Sequence, residues 1–365
     1  MNIFGRLLPF ERSLSGKRIL VTGNTGFTGS WTCFWLAAIG ARVGGFSLPP
    51  PTTPALYQAL DLAAEVPTTH ADIRDHATLR SAIENFEPDL ILHLAAQPLV
   101  RRSYREPLST FEINALGTAN VLEAARSLRV RGVLCITTDK VYRNNGTTRP
   151  YREEDPLGGT DPYSASKAAA ELIVQSYAAL LAAEQRPVAV ASARGGNIVG
   201  GGDWSEDRLI PDFVRAVVGG SPLTLRYPKA KRPWQHVLAL AQAYLMLLAG
   251  LVSDTPARYA RSWNFGPCDD REYSVEDILE MMCDHWTRPM LRFMDEPLPE
   301  AQNLAIDSSA ARRELGWLPP WDTPRAIAAT AAWYRDYYRA PGETRAMTLR
   351  QLKDWREELL LTMGE

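Results

Sequence analysis

KRILVTGNTGFTGSW, residues 17–31, joins an apolar run of strand-forming residues to three glycines and then to the first turns of a helical pattern. Gly23, Gly26 and Gly29 allow a tight turn and a close approach of the backbone to a pyrophosphate, which free N–H groups at the helix N-terminus stabilise. An ordinary tight turn is the competing interpretation. The order of strand, glycines and helix favours a dinucleotide-binding loop.

Apolar runs alternate with helical patterns along the first half of the chain. After residues 17–23, strands are predicted at residues 41–48, 89–96 and 132–139 and from Pro187 onward. Segments with helical apolar spacing lie between them, at residues 27–40, 76–86, 108–128 and 164–184. Continuous apolar strands that alternate with helices indicate a sheet covered on both faces. The sequence therefore predicts an α/β fold of Rossmann type with a doubly wound parallel sheet.

This alternation changes after residue 194. A glycine-rich loop, GGNIVGGGDW, is followed by shorter segments with several prolines and tryptophans. We expect a Rossmann domain over residues 1–194, to which the chain returns around 235–266. A smaller mixed α/β substrate lobe is expected over residues 195–340, and a helical tail over 341–365.

Composition argues against several classes of protein. The 365 residues are 45% hydrophobic and carry 40 basic against 42 acidic side chains, a net charge of −2. A chain of this length buries a large core, and its nearly balanced charge argues against binding of nucleic acid or a membrane surface. A small molecule is the expected partner. No His, Cys and carboxylate residues have metal-ligand spacing, so no metal is expected.

The cysteines and the apolar segments indicate a cytoplasmic protein. Without a C-x-x-C pair or a secreted framework, reduced thiols are predicted at Cys33, Cys135, Cys268 and Cys283. Residues 1–18 lack the apolar core and the cleavage site of a signal peptide. The apolar run at residues 237–252 is interrupted by Gln242 and Tyr244, which predicts a buried helix instead of a membrane span.

DPYSASKAAAE, residues 161–171, places Tyr163 and Lys167 four apart on one helical face. A lysine ammonium near a phenol lowers the pKa of the phenol, which makes Tyr163 a candidate proton acceptor in alcohol oxidation, and the ammonium can also bind a nicotinamide ribose. Such a pair is common on surface helices. Together with the glycine loop and the strand ending in Thr-Asp, it predicts a redox site.

TTDKVY, residues 137–142, follows the apolar part of a strand. In a parallel sheet, catalytic groups lie at the carboxyl ends of the strands beside the cofactor, and Thr138, Asp139 and Lys140 fall at such an end. An adjacent acid and amine supply two proton-transfer groups that a simple dehydrogenase does not need. A salt-bridging turn is the other interpretation of Asp139 and Lys140.

These motifs together carry a family resemblance. They are VTGNTGFTGSW, GFSLPPPTTPALY, ADIRD, HLAAQPLVRRSY, TTDKVY, YSASK, GGNIVGGGDWSEDRLIPD, RPWQHVL and WNFGP. Over about residues 17–317 the chain resembles the nucleotide-sugar 4,6-dehydratases of the extended short-chain dehydrogenase/reductase superfamily, and its Thr-Asp-Lys is similar to the CDP-glucose branch. In that branch's phosphate loop a lysine stands at the position of Thr28 and a histidine at that of Asn24.

The resemblance implies NAD as the cofactor. The second strand ends GFSLPP, with neither an acid for the ribose hydroxyls nor a base for a 2′-phosphate, so the residues favour NAD over NADP without deciding between them. Asp72 and Ile73 are candidates to flank the adenine, although a helix N-cap is an equally good interpretation of Asp72 or Asp75. The candidate cofactor-binding residues are Gly23, Thr25, Gly26, Phe27, Gly29, Asp72, Ile73, Leu94, Ala95, Ala96, Tyr163 and Lys167.

The resemblance also implies an internal redox cycle on a nucleotide sugar such as CDP-glucose. Tyr163 takes the proton of the C4 hydroxyl, to which Thr138 is hydrogen-bonded, while C4 passes hydride to NAD. Lys140 then removes the C5 proton and Asp139 protonates the departing C6 hydroxyl, which gives an enone that takes the hydride back at C6. Lys140 must be neutral and Asp139 protonated, and the two can share one proton.

Further residues are assigned on the same basis. Substrate binding is implied for Gln97, Asn197, Arg208 and Arg232, the last with a guanidinium fork suited to a diphosphate. A solvated basic loop is the alternative for Lys229 and Lys231. His93 and His236 are expected to be structural histidines.

Quaternary structure and pathway also follow from the resemblance. The helices predicted at residues 107–128 and 164–183 carry long apolar faces, and their equivalents in the superfamily pair across a two-fold axis. This implies a homodimer, although the faces could be covered within one chain. The reaction would belong to deoxysugar biosynthesis, for example of lipopolysaccharide O-antigen.

Three other functions compete with this prediction. A C4 epimerase shares the fold and cofactor but does not require the Asp139–Lys140 pair. An inverting dehydratase of the UDP-N-acetylglucosamine type also carries Thr-Asp-Lys but lacks the tyrosine found here at Tyr163. A non-catalytic NAD-binding regulator would not need to keep Tyr163, Lys167, Asp139 and Lys140 together.

Overall fold

A seven-stranded parallel sheet forms the centre of the molecule, in the order β11-β6-β5-β4-β1-β2-β3. The computed structural model describes residues 2–128, 130–144, 146, 149–185, 188–267, 269, 271–294 and 304–362; Pro187 and Cys268 lie outside these ranges. The described strands are β1 (Arg18–Thr22), β2 (Arg42–Ser47), β3 (Thr68–His70), β4 (Leu90–His93), β5 (Gly132–Ile136), β6 (Ala189–Gly195), β7 (Ile198–Val199), β8 (Leu223–Leu225), β9 (Lys231–Arg232), β10 (Gln235–His236), β11 (Ser262–Phe265), β12 (Tyr273–Ser274) and β13 (Leu291–Phe293).

Helices cover both faces of this sheet, which confirms the predicted doubly wound α/β fold. One face packs against α2 and α10, and the other against α4, α7 and α8. The described helices are α1 (Pro9–Leu14), α2 (Phe27–Ala38), α3 (Leu56–Ala59), α4 (His76–Phe86), α5 (Val100–Arg105), α6 (Pro107–Phe111), α7 (Gly117–Ser127), α8 (Pro162–Ala183), α9 (Leu209–Gly219), α10 (Val237–Leu251), α11 (Val275–His285), α12 (Thr323–Arg339) and α13 (Thr344–Thr362). Because both faces are covered, the strands are apolar throughout, as in the fully buried LILH of β4.

The apolar run at residues 237–252 forms α10, a helix buried on nearly all sides. It packs against α1, α2 and the strands β5 and β6. Among the described residues, no helix is both long and apolar enough to span a bilayer. Within the same ranges, Cys33, Cys135 and Cys283 are free thiols and no group of His, Cys, Asp and Glu could hold a metal ion.

Short strand pairs and two helices build a smaller unit beside the sheet. Strand β13 pairs in parallel with β8, and β12 pairs antiparallel with β9. Helices α9 and α11 pack beside these pairs, with Phe213, Ile278 and Met282 fully buried. The parallel pair β7–β10 joins this unit to the end of β6.

Both ends of the described chain are joined by a buried ion pair, which we call the terminal clamp (Glu11 and Arg356). The Arg356 guanidinium donates from Nε and Nη2 to the Glu11 carboxylate at 2.7 and 2.6 Å. Trp35 Nε1 donates to the same carboxylate at 2.8 Å. Helix α13 therefore anchors α1 to α2, and Trp355 beside Arg356 is fully buried.

Candidate active site

A cavity of about 910 Å³ lies at the carboxyl ends of β1, β4, β5 and β6 and extends to the smaller unit. This is the edge where parallel sheets of this class place their ligands. Every site residue predicted from the sequence lines it: Gly23, Thr25, Gly26, Phe27, Gly29, Asp72, Ile73, Leu94, Ala95, Ala96, Gln97, Thr138, Asp139, Lys140, Tyr163, Lys167, Asn197, Arg208 and Arg232.

The glycine loop forms one end of the cavity. Gly23 has φ 72°, and a Cβ on it would lie 2.7 Å from the backbone nitrogen of Ala95, so only glycine fits between β1 and the segment after β4. A Cβ on Gly29 would lie 2.2 Å from the Gly23 carbonyl oxygen. Helix α2 begins at Phe27 directly after Gly26, so its first N–H groups face the cavity and suit a diphosphate.

The ends of β2 and β3 form the adjoining wall. Thr25 Oγ1 lies 2.8 Å from Ser47 Oγ and donates to the Leu48 carbonyl at 2.9 Å. The Asn24 side chain is buried over Gly45 and donates to Thr68 Oγ1 at 2.9 Å, so this departure from the branch's loop braces β2 against β3.

The two interpretations of the acids after β3 can now be separated. Asp75 caps α4 by accepting from Thr78 N at 3.1 Å. Asp72 lines the cavity and pairs with Arg74 at 2.7 Å, and this hydrogen-bonded partner holds the pKa of Asp72 below its usual range. The N-cap is therefore Asp75 alone.

Thr138, Asp139 and Lys140 form a tight turn immediately after β5, which we call the candidate catalytic turn (residues 138–140). Thr138 Oγ1 donates to Asp139 Oδ1 at 2.9 Å and accepts from Lys140 N at 3.4 Å. Asp139 is almost fully buried, and its Oδ2 has no hydrogen-bond partner among the described residues. A Cβ on Gly196 would lie 2.1 Å from this oxygen, so the carboxyl rests directly on the backbone after β6.

Tyr163 and Lys167 lie on the face of α8 that covers this turn. Asp161 caps the helix by accepting from Ser164 N at 2.9 Å, and Pro162 begins it, which fixes where Tyr163 falls. Lys167 Nζ donates to the Ile136 carbonyl at 3.0 Å. Burial lowers the pKa of Lys167 to about 8.

The predicted direction of the Tyr163 pKa shift is wrong for this structure. Burial raises the pKa of Tyr163 to about 12, and hydrogen bonding with Thr138 only partly opposes this rise. From the spacing of four residues we expected the Lys167 charge to be the main influence on the Tyr163 pKa and to lower it. In the structure its ammonium is bound to the Ile136 carbonyl, and loss of water around the phenol is the larger effect.

The predicted substrate residues lie at the other end of the cavity. Arg208 Nη1 pairs with Asp203 Oδ2 at 3.1 Å, and Asn197 has φ 37° at the turn before β7. Arg232 is 6% exposed and donates to the Lys231 carbonyl, whereas Lys231 is an exposed side chain paired with Glu272. The solvated-loop interpretation therefore suits Lys231 and not Arg232.

Gln97 lines the cavity but its side chain is engaged within its own loop. Its Nε2 donates to the Leu99 carbonyl and to Thr110 Oγ1, and its Oε1 accepts from Leu99 N. These contacts shape the loop after β4, and the predicted role of Gln97 in substrate binding stays a prediction. The predicted structural roles of His93 and His236 agree with their contacts: His93 bonds Thr22 and Thr118, and His236 accepts from Leu238 N.

Sequence reasoning missed two arginines and an acid on the same wall. Arg226 Nη1 bonds Asp207 Oδ1 at 2.8 Å, and Arg101 approaches the same oxygen at 3.6 Å. All three line the cavity. They come from α5, from the turn before α9 and from the residue after β8, so no spacing in the sequence connects them. The only available signal was the excess of arginine near these segments.

Comparisons with known proteins agree with this geometry. Residues 20–330 match the family model described as GDP-mannose 4,6 dehydratase. A CDP-glucose 4,6-dehydratase of Salmonella typhimurium is 40% identical over 331 residues, which cover 89% of this chain and 92% of that protein. A dTDP-glucose 4,6-dehydratase of Neisseria gonorrhoeae is 28% identical, over 88% of this chain and 96% of its own length.

The fold is also found among solved structures. A dTDP-glucose 4,6-dehydratase of Streptomyces venezuelae, solved with NAD and TYD bound, is similar with a TM-score of 0.76 at 26% identity, and the match covers 87% of this chain and 97% of that chain. From the family match over residues 20–330 and the 40% identity over most of both chains, the chain belongs to the GDP-mannose 4,6-dehydratase family of extended short-chain dehydrogenases/reductases.

Proposed function

We propose that the protein is a CDP-glucose 4,6-dehydratase, which converts CDP-D-glucose to CDP-4-dehydro-6-deoxy-D-glucose and water. The observation that carries the proposal is the candidate catalytic turn, which meets Tyr163 and Lys167 in the cavity that also holds the glycine loop. An acid and an amine beside a tyrosine–lysine pair supply the proton transfers of an elimination as well as those of an oxidation. The 40% identity to a CDP-glucose 4,6-dehydratase supports the choice of nucleotide.

NAD is the cofactor in this proposal, and it would accept a hydride from the sugar and return it. The residues fit such a group, because Gly23 and Gly29 let the loop turn tightly against its own backbone and the N-terminus of α2 lies at the cavity. Beyond the loop, β2 ends at Ser47 and is followed by Leu48, and both are uncharged and so do not favour a 2′-phosphate. Lys167, which lines the same cavity, would bind the nicotinamide ribose.

The chain's own groups would move the protons. Tyr163, hydrogen-bonded with Thr138, would take the proton of the C4 hydroxyl, and Lys140 would take that of C5. Asp139 would protonate the departing C6 hydroxyl. Its Oδ2 supports this role, because no other described group of the site is hydrogen-bonded to that oxygen.

The diphosphate would bind to the arginines at the far end of the cavity. Arg208, Arg226 and Arg101 are each paired there with Asp203 or Asp207. Arg232, which is nearly buried and lines the same cavity, offers the planar fork that suits a phosphate. A bound diphosphate would replace Asp203 and Asp207 as the negatively charged partner of these arginines. The arginines would therefore stay paired when the substrate binds.

A homodimer is part of the proposal. Exposed apolar side chains occur on residues 107–127 and on the adjacent α8: Leu108, Phe111, Leu116, Leu172 and Leu180. Leu116 and Leu172 are 59% and 56% exposed, which favours a second copy as their cover. Leu116→Arg should convert a dimer to a monomer in sedimentation velocity. A wild-type protein that sediments as a monomer at micromolar concentration would refute this part.

The proposed compartment is the cytoplasm, and the proposed pathway is deoxysugar synthesis, for example for lipopolysaccharide O-antigen. Support for the compartment comes from Cys33 and Cys135, buried free thiols in the sheet domain. Fractionation of cells that express the chain would test the location.

The experiment that tests the function is mass spectrometry of the protein incubated with CDP-glucose, dTDP-glucose, GDP-mannose and UDP-N-acetylglucosamine, without added reductant. Loss of one water from CDP-glucose, with no net reduction of cofactor, is the expected result. Loss of water from another sugar nucleotide would keep the reaction and change the substrate. An isomer without mass change would identify an epimerase instead.

A further inference from the structure

Glu171 is a fully buried acid that stands behind the candidate catalytic turn. It follows Tyr163 and Lys167 at the same spacing of four on α8, so the three side chains share one helical face. Its Oε1 accepts from Thr137 Oγ1 at 2.5 Å, and its Oε2 accepts from Arg194 Nη2 at 2.6 Å and from Ser192 Oγ at 2.9 Å. Glu171 therefore ties α8 to the ends of β5 and β6.

Arg194 extends this contact to the other end of the turn. Its Nη1 donates to Tyr142 Oη at 2.8 Å and to the Glu153 carbonyl at 3.0 Å, and its guanidinium lies 5.1 Å from the Tyr142 ring centroid. Thr137 and Tyr142 flank the candidate catalytic turn on its two sides. The segment is thus held at both ends by one ion pair whose side chains are completely shielded from solvent.

We propose that the Glu171–Arg194 pair is a positioning device, which fixes the candidate catalytic turn against Tyr163 and Lys167 without touching substrate or cofactor. A buried ion pair gives little net stability, because replacement of both members by apolar residues is often neutral or stabilising. The geometry gives this pair another use. It connects the helix that carries the tyrosine and lysine to both ends of the segment that carries the acid and amine.

The pair also sets the electrostatic environment of Lys167. Burial lowers the pKa of Lys167, and Cys135 from β5 and Glu171 from its own helix oppose that shift. His93 of β4 faces the same charge, but burial keeps it neutral. Burial raises the pKa of Glu171, and Arg194 with its hydrogen bonds more than reverses that rise, so Glu171 is a carboxylate. Removing the Glu171 charge would therefore lower the pKa of Lys167 further.

The kinetic test compares two double variants, and it rests on the proposed function. Glu171→Met/Arg194→Met removes both charges, yet the hydroxyls of Thr137, Ser192 and Tyr142 each keep a second partner. Glu11→Met/Arg356→Met removes the terminal clamp, a buried ion pair whose two residues do not line the cavity. We expect the first variant to lose about 100-fold in kcat with little change in KM, and the control to keep wild-type kcat. A first variant within threefold of the control would overturn the inference.

A second measurement separates this inference from the proposed function. Hydrogen–deuterium exchange should be faster over residues 137–143 in Glu171→Met/Arg194→Met than in the wild type, and unchanged there in the terminal-clamp control. Equal exchange in both variants would refute the positioning role, whether or not CDP-glucose is the substrate. Failure of the wild type to dehydrate any sugar nucleotide would refute the proposed function and leave exchange to decide the positioning role.

The pH dependence gives a readout that a purely structural pair would not move. In Glu171→Gln a buried negative charge that raises the pKa of Lys167 is lost, so the limb of the pH profile of kcat that reports Lys167 should shift to lower pH. In the double variant both charges are lost together, so its shift should be smaller. Profiles that coincide with that of the wild type would contradict the electrostatic part of the argument.

Discussion

Gly196→Ala is the substitution that tests the role of Asp139 most directly. The added Cβ would lie 2.1 Å from Asp139 Oδ2 and 2.3 Å from its Cγ. Asp139 cannot move towards solvent without breaking its hydrogen bond from Thr138, because the side chain is enclosed. We therefore expect the carboxyl to be displaced while the fold, the glycine loop and the arginine end of the cavity are kept.

The size of the effect follows from the contact distances. Ordinary van der Waals contact begins at 3.4 Å, so the carboxyl must retreat by about 1.3 Å. A misplacement of about 1 Å in a reacting group typically costs about 100-fold in rate. We expect kcat to fall by about that factor and KM for CDP-glucose to change little, since the displaced group acts on the departing hydroxyl and not on the diphosphate.

The assay is product formation from CDP-glucose followed by mass spectrometry, with cofactor absorbance recorded in parallel. Because the defect lies in elimination and not in C4 oxidation, reduced cofactor should be detectable during turnover. Gly342→Ala is the matched control, since nothing lies within 4 Å of the Cβ it would add. Gly196→Ala with kcat within threefold of this control would refute the assignment of Asp139 as the acid.

Three other predictions follow from the site and the core. Tyr163→Phe should lower kcat by about 10³-fold or more, because a general base contributes a factor of about 10²–10⁴ to the rate. Calorimetry should show unchanged binding of CDP-glucose, because the phenol makes no contact with the diphosphate. A kcat above one tenth of the wild-type value would contradict this prediction. Lys140→Met should leave C4 oxidation intact but stop removal of the C5 proton, so cofactor should stay reduced and C5 should take up no deuterium from solvent. Burial lowers the pKa of His236 to about 3. Between pH 6.5 and 3 the unfolded state therefore binds one proton more than the folded state, so the free energy of unfolding decreases as the pH is lowered. His236→Asn keeps a helix-capping acceptor but does not titrate. As the pH is lowered over that window, its free energy of unfolding, measured by urea denaturation, should fall by about 1.4 kcal/mol per pH unit less than that of the wild type. Equal pH dependence in the two proteins would refute the lowered pKa of His236.

The doubly wound sheet could be predicted because its strands are covered on both faces. LILH in β4 and GVLCI in β5 are continuous apolar runs, and helical spacing between them leaves few other arrangements. The strands of the smaller unit are two or three residues long, as in β9 and β12, and such lengths carry no readable period.

The candidate site was predictable where residues follow a strand and unpredictable where they come from separate loops. The sheet places the ends of β1, β4 and β5 side by side, so the glycine loop and the candidate catalytic turn had to meet. Arg226 and Asp207 meet only because the smaller unit folds back over the cavity. The position of Glu171, four residues after Lys167, already predicted that it shares the helical face of Lys167. Its positioning role could be inferred only from its burial and its ion pair with Arg194, which the structure shows.

The Tyr163 pKa shows what spacing cannot supply. Residues four apart on a helix share a face, but the direction of a pKa shift depends on how much water is lost and on where each charge is bound. The structure gives both: the phenol is enclosed and the ammonium is bound to the Ile136 carbonyl.

The terminal clamp has a consequence for the order of synthesis on the ribosome. Glu11 emerges early, and its carboxylate is destined for an apolar site beside Trp35, but Arg356 lies in the last described helix to be made. Until that helix emerges, docking α1 would bury an acid without its cation, which is unfavourable. Helix α1 should therefore dock late in translation, and a chain cut short before Arg356 would expose an unfinished N-terminus to chaperones and proteases.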